Sequence, residues 1–315
     1  MEAVVTTDWH LDVLNNGVFR HDPEQGIKLQ IKDIEKPFDY ALENGIKTVI
    51  VAGDIGQHCE LSSLAKFYLL SLLMKYDSIL DIHIIPGNHD YNKVGVHSLK
   101  LVELLCTKNK FNSVRLYTEP TLVDIEGTPV YFLPYPHTKG KKNVINVAHL
   151  DPNGARRDNG KKITNGCDLS DDTLWIVGHL HTYQDFGHLV LPGTLYQCNF
   201  GESVPKGFVH IKAGKKFRHR FIEVKPSFTF NTLLIESSDD WMKISRNERE
   251  FYRVYVQSSL TVPEDIYQYP NVLQLSGQIL EDSDGDTGED EGRLKLVEDD
   301  EELLADYLKH VYSLN

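Results

Sequence analysis

Five short fragments carrying histidine or aspartate each follow a hydrophobic run within the first 181 residues. The runs are rich in Val and Ile, which predicts buried strands. Side chains just past the C-terminal ends of such strands lie in the crevice where open α/β sheets hold ligands, so all five loops can converge. The runs span residues 3–6, 48–52, 82–85, 144–147 and 174–177. The fragments are Thr7-Asp8-Trp9-His10, Gly53-Asp54, Gly87-Asn88-His89-Asp90, Ala148-His149 and Gly178-His179-Leu180-His181.

The donors in these fragments are carboxylates, one amide and imidazoles, a mixture that suits manganese, iron or zinc in a hydrolytic site. They are too many for one catalytic metal, which must keep an open position for water, but they serve two ions if a carboxylate bridges. Asp54 is the natural bridge. Taken singly, Gly53-Asp54 is more often a turn than a ligand, but five fragments in order favour a metal site. The donors are Asp8, His10, Asp54, Asn88, His149, His179 and His181.

These blocks resemble those of the calcineurin-like metallophosphoesterases, ordered Asp-x-His, Gly-Asp, Gly-Asn-His-Asp/Glu, His and Gly-His-x-His. The resemblance implies an α/β (α+β) fold, a four-layer αββα sandwich. It also implies two divalent ions, most simply Mn²⁺ with Mg²⁺ as the alternative, that activate a hydroxide for attack on a phosphodiester. One ion would take Asp8, His10, Asp54 and His181, and the other Asp54, Asn88, His149 and His179.

The same resemblance leaves His89 free for chemistry. Its ring can protonate the leaving group, with Asp90 orienting it. A purely structural role for His89 is the alternative.

A second resemblance lies beyond the metal blocks. Residues 191–202 and Lys206-Gly207-Phe208 are similar to the SbcD nuclease family, in which a Pro-Gly-Ser/Thr turn, Phe-x-Glu and Lys-Gly-Phe follow the last block. Residues 149–154 are similar to the fourth block of the SbcD-related endonuclease subunits of T-even bacteriophages. This resemblance covers residues 1–225.

The resemblance implies a metal-dependent nuclease, a 3'-5' exonuclease on duplex DNA and an endonuclease on single strands. It would act in DNA recombination, repair and end processing with an SbcC-like, SMC-type ATPase. The chain itself has no Gly-x-x-x-x-Gly-Lys loop, which assigns ATP hydrolysis to that partner. After Asp54 the family usually has an apolar residue and Phe, where this chain has Ile55, Gly56, Gln57 and His58. His58 is then a substrate contact or a loop histidine without a role.

Length and composition agree with one large and one small domain, since 315 residues with 41% hydrophobic content can bury a core. No apolar run is long enough to span a membrane, and the first strand begins at residue 3, which leaves no room for a signal peptide. We therefore expect a cytoplasmic protein without membrane association, in the host cytoplasm if the source is a phage. The four cysteines are scattered, which predicts reduced thiols.

The net charge of -13 is concentrated in one segment, because residues 281–315 carry 13 acidic and 3 basic residues. The preceding part is nearly neutral and compatible with DNA. Basic residues on either side of His149 are predicted to form a rim that follows phosphates, with ordinary solvated loops as the alternative. They are Lys141, Lys142, Arg156, Arg157, Lys161 and Lys162.

The chain is predicted to consist of a nuclease domain (1–225), a small α+β capping domain (226–280), an acidic disordered linker (281–297) and an amphipathic helix (298–315). That terminal helix either docks on the ATPase or folds back on the cap. A helix over residues 61–75 is apolar nearly all round, which predicts burial. With residues 94–105 it either forms a homodimer contact, giving a heterotetramer with the ATPase, or packs within the chain.

Two other functions compete with the nuclease. The first is a phosphatase or phosphodiesterase for small or protein substrates, which activity on nucleotides without DNA would favour. The second is a non-catalytic recombination scaffold, against which the intact His89 argues.

Overall fold

Two six-stranded sheets form the body of the first of two compact units, Met1–Ser227 and Phe228–Asn315. The structure is a computed structural model that describes residues 1–278 apart from residues 13, 15–17, 20–21, 203–204, 215–216 and 258. The predicted acidic linker and terminal helix lie outside the described residues. Among the described residues, no helix is long and apolar enough to cross a membrane.

The first sheet contains all three predicted strands of the N-terminal part. Its strands are β1 (Glu2–Thr6), β2 (Thr48–Ala52), β3 (Asp81–Ile85), β4 (Val114–Leu116), β11 (Lys206–Lys212) and β12 (Arg218–Val224). Their spatial order is β12-β11-β1-β2-β3-β4. β1 to β4 are parallel, whereas β11 runs antiparallel to both β1 and β12. The C-terminal ends of β1, β2 and β3 therefore share one edge.

The strands of the second sheet are β5 (Thr121–Ile125), β6 (Thr128–Leu133), β7 (Ile145–His149), β8 (Leu174–Gly178), β9 (Gln184–Asp185) and β10 (Leu189–Leu191). Their spatial order is β5-β6-β7-β8-β10-β9, with antiparallel pairs at the two edges. The inner strands β6, β7, β8 and β10 are parallel, so the ends of β7 and β8 also share an edge.

The core lies between the two sheets, where Val5 and Ile50 of the first pack with Val147 and Ile176 of the second. All four side chains are fully buried. Parallel strands buried on both faces read as continuous Val/Ile runs, which explains why the sequence predicts them well.

In the part of the chain that the structure describes, three α-helices accompany the first sheet: α1 (Pro23–Glu43), α2 (Ser63–Tyr76) and α3 (Lys100–Thr107). α1 begins after Asp22, whose side chain accepts a hydrogen bond from the Gln25 N–H (3.0 Å), and Pro23 fits the first helical position. It packs on β1 and β2, while α2 packs on α1 and α3 contacts β4. α2 buries one face, whereas Phe67 and Met74 are 61% and 67% exposed, so packing within the described part of the chain leaves part of its apolar surface uncovered.

The predicted mixed α/β sandwich is confirmed. On the outer face of the second sheet, the apolar cluster around Trp175 and Leu189 packs against Ala155 and Ile163, which belong to the loop after β7.

The described part of the second unit is a parallel sheet of β13 (Thr229–Ile235), β14 (Glu250–Gln257) and β15 (Val272–Gln278). Its connections contain only 3-10 helices, Ser238–Lys243 and Glu264–Gln268, rather than the α-helix expected of an α+β cap. The second of these begins directly after Pro263, and Pro270 follows it closely; proline removes a backbone donor and shortens such helices. The core of the second unit contains Ile235, Val254 and Val272.

Candidate metal centre

Seven predicted ligands meet where the C-terminal edges of the two sheets come together. The loops after β1 and β2 are hydrogen-bonded to each other, since the Asp8 and His10 N–H groups donate to the carbonyls of Gly53 and Asp54 (both 3.0 Å). His149 reaches across from the second sheet and places Nδ1 2.9 Å from the Ala52 carbonyl. The sheets are thus joined through the residues that carry the site.

One group of donors surrounds the first predicted metal position. The Nε2 atoms of His10 and His181 are 3.0 Å apart. His10 Nε2 lies 4.0 Å from Asp8 Oδ1 and 3.8 Å from Asp54 Oδ2. All four side chains are buried or nearly so.

The second group lies on the other side of Asp54. His149 Nε2 is 3.0 Å from Asn88 Oδ1 and 3.3 Å from Asp54 Oδ2. Nitrogen and oxygen donors of Asp54, His149 and His179 lie within 4.8 Å of one another. Asp54 Oδ2 therefore faces both groups, while its Oδ1 accepts the His89 N–H at 2.8 Å, which is the arrangement that a bridging carboxylate needs.

The lone pairs in this site fit a pair of cations. The Ala52 carbonyl can only accept, so His149 Nδ1 carries the proton and a neutral ring directs its Nε2 lone pair at two oxygens. Likewise His181 Nδ1 donates to Glu202 Oε1 (2.8 Å), which turns its Nε2 lone pair towards His10. Opposed lone pairs repel one another unless a proton or a metal ion lies between them. Without cysteine among the seven donors, the set suits a hard or borderline divalent ion.

The charges in the site also favour bound cations. Burial opposes the charged form of His149, but Asp54 and Asp8 outweigh it and raise the pKa to about 9. Burial likewise opposes a charge on His181, but Glu202 and Asp8 raise the pKa to about 9. The site therefore takes up protons when no metal supplies the positive charge, and metal binding must expel them.

Four of the predicted ligands hold strained backbone conformations. Asp8, His10, Asp54 and His179 have φ angles of 51°, 45°, 50° and 98°. Such left-handed conformations cost roughly 1–3 kcal/mol each and persist only where surrounding structure enforces them. Here the hydrogen bonds between the β1 and β2 loops provide that enforcement for the first three.

Glu202 and Lys206 support His181 from behind. Glu202 Oε1 accepts from His181 Nδ1, and Oε2 lies 2.6 Å from Lys206 Nζ. Both side chains are fully buried, and Lys206 also donates to Thr194 Oγ1 (2.8 Å). His181 and Lys206 overcome the effect of burial and lower the pKa of Glu202 to about 2. A carboxylate behind a metal-bound histidine fixes its tautomer and raises its basicity, which gives a physical reason for the Phe-x-Glu and Lys-Gly-Phe pattern.

A family model for calcineurin-like phosphoesterases matches residues 1–183, more than half of the chain. The chain belongs to this family. Membership confirms the class of metal-dependent phosphoesterase predicted from the blocks, and the matched residues include all seven predicted ligands.

Two individual proteins are also similar to this chain. Exonuclease subunit 1 of Enterobacteria phage T4 is 29% identical over 228 residues, covering 66% of this chain and 63% of that protein, so the match spans less than two-thirds of the relative. YfcE, a phosphoesterase from E. coli, is similar over 67% of this chain and 88% of that one, with 13% identity and a TM-score of 0.34. A similarity that low carries no argument.

The family histidine of the third block is exposed on the open side of the site. His89 shares a cluster with His10 and Asp54. Its Nδ1 lies 3.1 Å from the Gln57 carbonyl, which leaves Nε2 available to a substrate. The expectation that Asp90 orients this ring was wrong: Asp90 is buried and accepts the N–H groups of Ile55 (3.1 Å), Gly56 (2.9 Å) and Gly87 (2.8 Å). Asp90 thus joins two ligand loops, because its side chain turns inward after the Gly87 turn.

The six basic residues predicted to form a phosphate rim lie in two separate places. Lys141 and Lys142 precede the N-terminal end of β7, whereas His149 ends that strand, so the length of the strand, roughly 13 Å, separates them from the metal centre. Lys142 pairs with Asp172 (2.7 Å) and Lys141 lies over the Tyr131 ring. These two lysines are therefore not part of the site. Arg156, Arg157, Lys161 and Lys162 lie on the loop after His149 and are all exposed.

Two carboxylates that the sequence analysis did not single out come from the same loop. Asp151 Oδ1 lies 3.3 Å from His179 Nε2, and Asp158 Oδ2 lies 3.6 Å from His181 Nδ1. The only sequence signal for Asp151 is its place in the block that starts at His149. His58 is exposed on the loop after Asp54.

Proposed function

We propose that the chain is the nuclease subunit of a DNA-processing complex, a two-metal phosphodiesterase that uses Mn²⁺. The observation that carries the proposal is Asp54 Oδ2 facing two clusters of nitrogen and oxygen donors, with His89 exposed beside them. Two cations bound there would polarise the phosphoryl group and activate a water. The ions would lie at Asp8, His10, Asp54 and His181, and at Asp54, Asn88, His149 and His179.

His89 acts in this proposal as the general acid. Its ring is exposed, and the Gln57 carbonyl holds the Nδ1 proton in place, so Nε2 faces outward. A protonated imidazole can give its proton to a leaving alkoxide near neutral pH.

DNA is the proposed substrate for two reasons. The loop after β7 presents Arg156, Arg157, Lys161 and Lys162 next to the histidine ligands, and exposed cations bind phosphates along a nucleic-acid backbone. The name of the phage T4 relative, an exonuclease subunit, supports the same substrate. We propose 3'-5' exonuclease activity on duplex DNA and endonuclease activity on single strands, in recombination and repair.

The proposed assembly is a homodimer bound to an SbcC-like ATPase. Exposed apolar side chains on α2 and on the segment that leads into α3 support the homodimer: Phe67, Met74, Val94 and Val96 are 61%, 67%, 82% and 46% exposed. Such patches mark interaction surfaces. The segment proposed to bind the ATPase, residues 298–315, lies outside the described residues.

End-labelled single- and double-stranded DNA with Mn²⁺ tests the proposal, with bis-p-nitrophenyl phosphate as a small diester. Asp54→Ala should abolish cleavage of all three substrates. His89→Ala should slow DNA cleavage about 10²- to 10⁴-fold but affect the small diester less, because nitrophenolate leaves without protonation. Lys142→Gln, a change before β7 and away from the site, is the control and should cut normally. Hydrolysis of the small diester with intact DNA would instead indicate a phosphatase or small-molecule phosphodiesterase.

A further inference from the structure

The loop after β7 is anchored firmly enough to position a side chain. The Gly154 N–H donates to the Ile163 carbonyl (2.9 Å), and the Ile163 N–H donates to the Ala155 carbonyl (2.8 Å). Ala155 and Ile163 are buried in the cluster on the outer face of the second sheet. The base of the loop is closed by the Cys167 N–H, which donates to the Asp151 carbonyl (2.7 Å).

Asp151 links a surface arginine to a predicted metal ligand. Its Oδ2 lies 2.8 Å from Arg157 Nη2, and its Oδ1 lies 3.3 Å from His179 Nε2. Oδ1 is buried and has no hydrogen-bond partner within the described residues. Since Nε2 faces this oxygen, Nδ1 is the nitrogen of His179 left to face a metal. A metal-bound histidine needs an acceptor for its other N–H, and Asp151 Oδ1 is suitably placed.

Asp151 needs a partner to stay in that orientation. Its side chain is 29% exposed although Oδ1 is buried, so water competes for Oδ2, and Arg157 restrains the carboxylate by a charge-assisted hydrogen bond to that oxygen. The Arg157 side chain is itself half exposed.

We propose that Arg157 is a positioning residue for the second metal position, acting through Asp151 on His179. This rests on the proposed function, which assigns His179 to the second metal. It differs from a simple DNA contact, because a contact would affect DNA binding alone, whereas a positioning residue also affects Mn²⁺ affinity when DNA is absent.

The neighbouring arginine provides a matched control. Arg156 is on the same loop, is exposed and has the same charge, but its guanidinium donates to the Gly160 carbonyl (2.9 Å) rather than to Asp151. Arg156→Gln and Arg157→Gln therefore remove equal charge from the rim, but only the second releases Asp151.

Calorimetric titration of the DNA-free, full-length protein with Mn²⁺ tests the inference. Asp151→Asn should weaken the second binding step about 10- to 100-fold, and Arg157→Gln about 2- to 5-fold, as for a partly exposed ion pair. Arg156→Gln should leave it unchanged, and Arg157→Lys should restore part of the loss. Because both residues act through one contact, Arg157→Gln should cause no further loss in the Asp151→Asn protein.

Three outcomes would overturn the inference. Wild-type Mn²⁺ affinity in Arg157→Gln, with weaker DNA binding, would make Arg157 a DNA contact only. If Arg157→Gln weakened Mn²⁺ binding equally in the wild-type and Asp151→Asn proteins, Arg157 would not act through Asp151. A wild-type protein that binds fewer than two Mn²⁺ ions would remove the two-metal assignment itself, and that result is separate from failure to cut DNA, which the titration does not measure.

Discussion

The substitution Glu202→Gln should lower both fold stability and Mn²⁺ affinity, and the two effects can be measured separately. The substitution keeps the shape of the side chain but removes the charge that holds His181 and Lys206. Lys206 is fully buried, so its ammonium group would lose its only acidic partner among the described residues. Removing one member of a buried ion pair costs about 3–5 kcal/mol of unfolding free energy. Loss of the carboxylate behind a metal-bound histidine should also weaken Mn²⁺ binding about 10- to 100-fold.

Urea unfolding of the metal-free protein and calorimetric titration with Mn²⁺ measure the two effects. Glu223→Gln, a change at an exposed glutamate on β12, is the control and should alter neither. Adding Lys206→Met to Glu202→Gln removes the unpaired charge, so stability should partly recover while Mn²⁺ affinity stays low. Glu202→Gln protein with wild-type Mn²⁺ affinity would refute the role of Glu202 behind His181.

Three further predictions concern packing, pH and charge. A Cβ at Gly87 would collide with Asp54 Oδ1, so Gly87→Ala should displace the bridging carboxylate and lower Mn²⁺ affinity, measured by calorimetry; unchanged affinity would refute the close approach. Burial lowers the pKa of His83 from its ordinary 6.5 to about 4. The unfolded state therefore binds a proton that the folded state does not, and the unfolding free energy should decrease by about 3 kcal/mol as the pH falls from 6.5 to 4. In urea unfolding, His83→Phe should not show this pH-dependent decrease. Lys162→Gln should reduce the salt dependence of DNA binding by about one phosphate contact, whereas Lys142→Gln should not; equal effects would contradict the separation of the two lysines.

The strands and the convergence of the seven proposed ligands could be predicted because they depend on local pattern. A buried parallel strand reads as a Val/Ile run such as Thr48–Ala52, and the loop that follows lies at the shared sheet edge. Once the strands were placed, the positions of Asp54 and His149 followed from strand direction alone.

Roles that depend on tertiary hydrogen bonds could not be predicted in this way. The sequence places Asp90 next to His89, but the side chain turns away and binds backbone N–H groups of two loops. Asp151 meets His179 only because the loop after β7 folds back on itself. Lys142 is close to His149 in sequence, but an intervening strand carries it to the opposite end of the sheet. By contrast, α1 had an available signal in Asp22-Pro23, a cap followed by a proline suited to the first turn.

Electron paramagnetic resonance of the Mn²⁺-loaded protein tests the central claim, that two metal ions share Asp54. The account predicts two Mn²⁺ ions per chain with an exchange-coupled spectrum, because ions bridged by one carboxylate lie about 3.5–4 Å apart. Asp54→Ala should remove the coupling, whereas His89→Ala should keep it. A single ion per chain, or two uncoupled ions in the wild-type protein, would contradict the shared-carboxylate site.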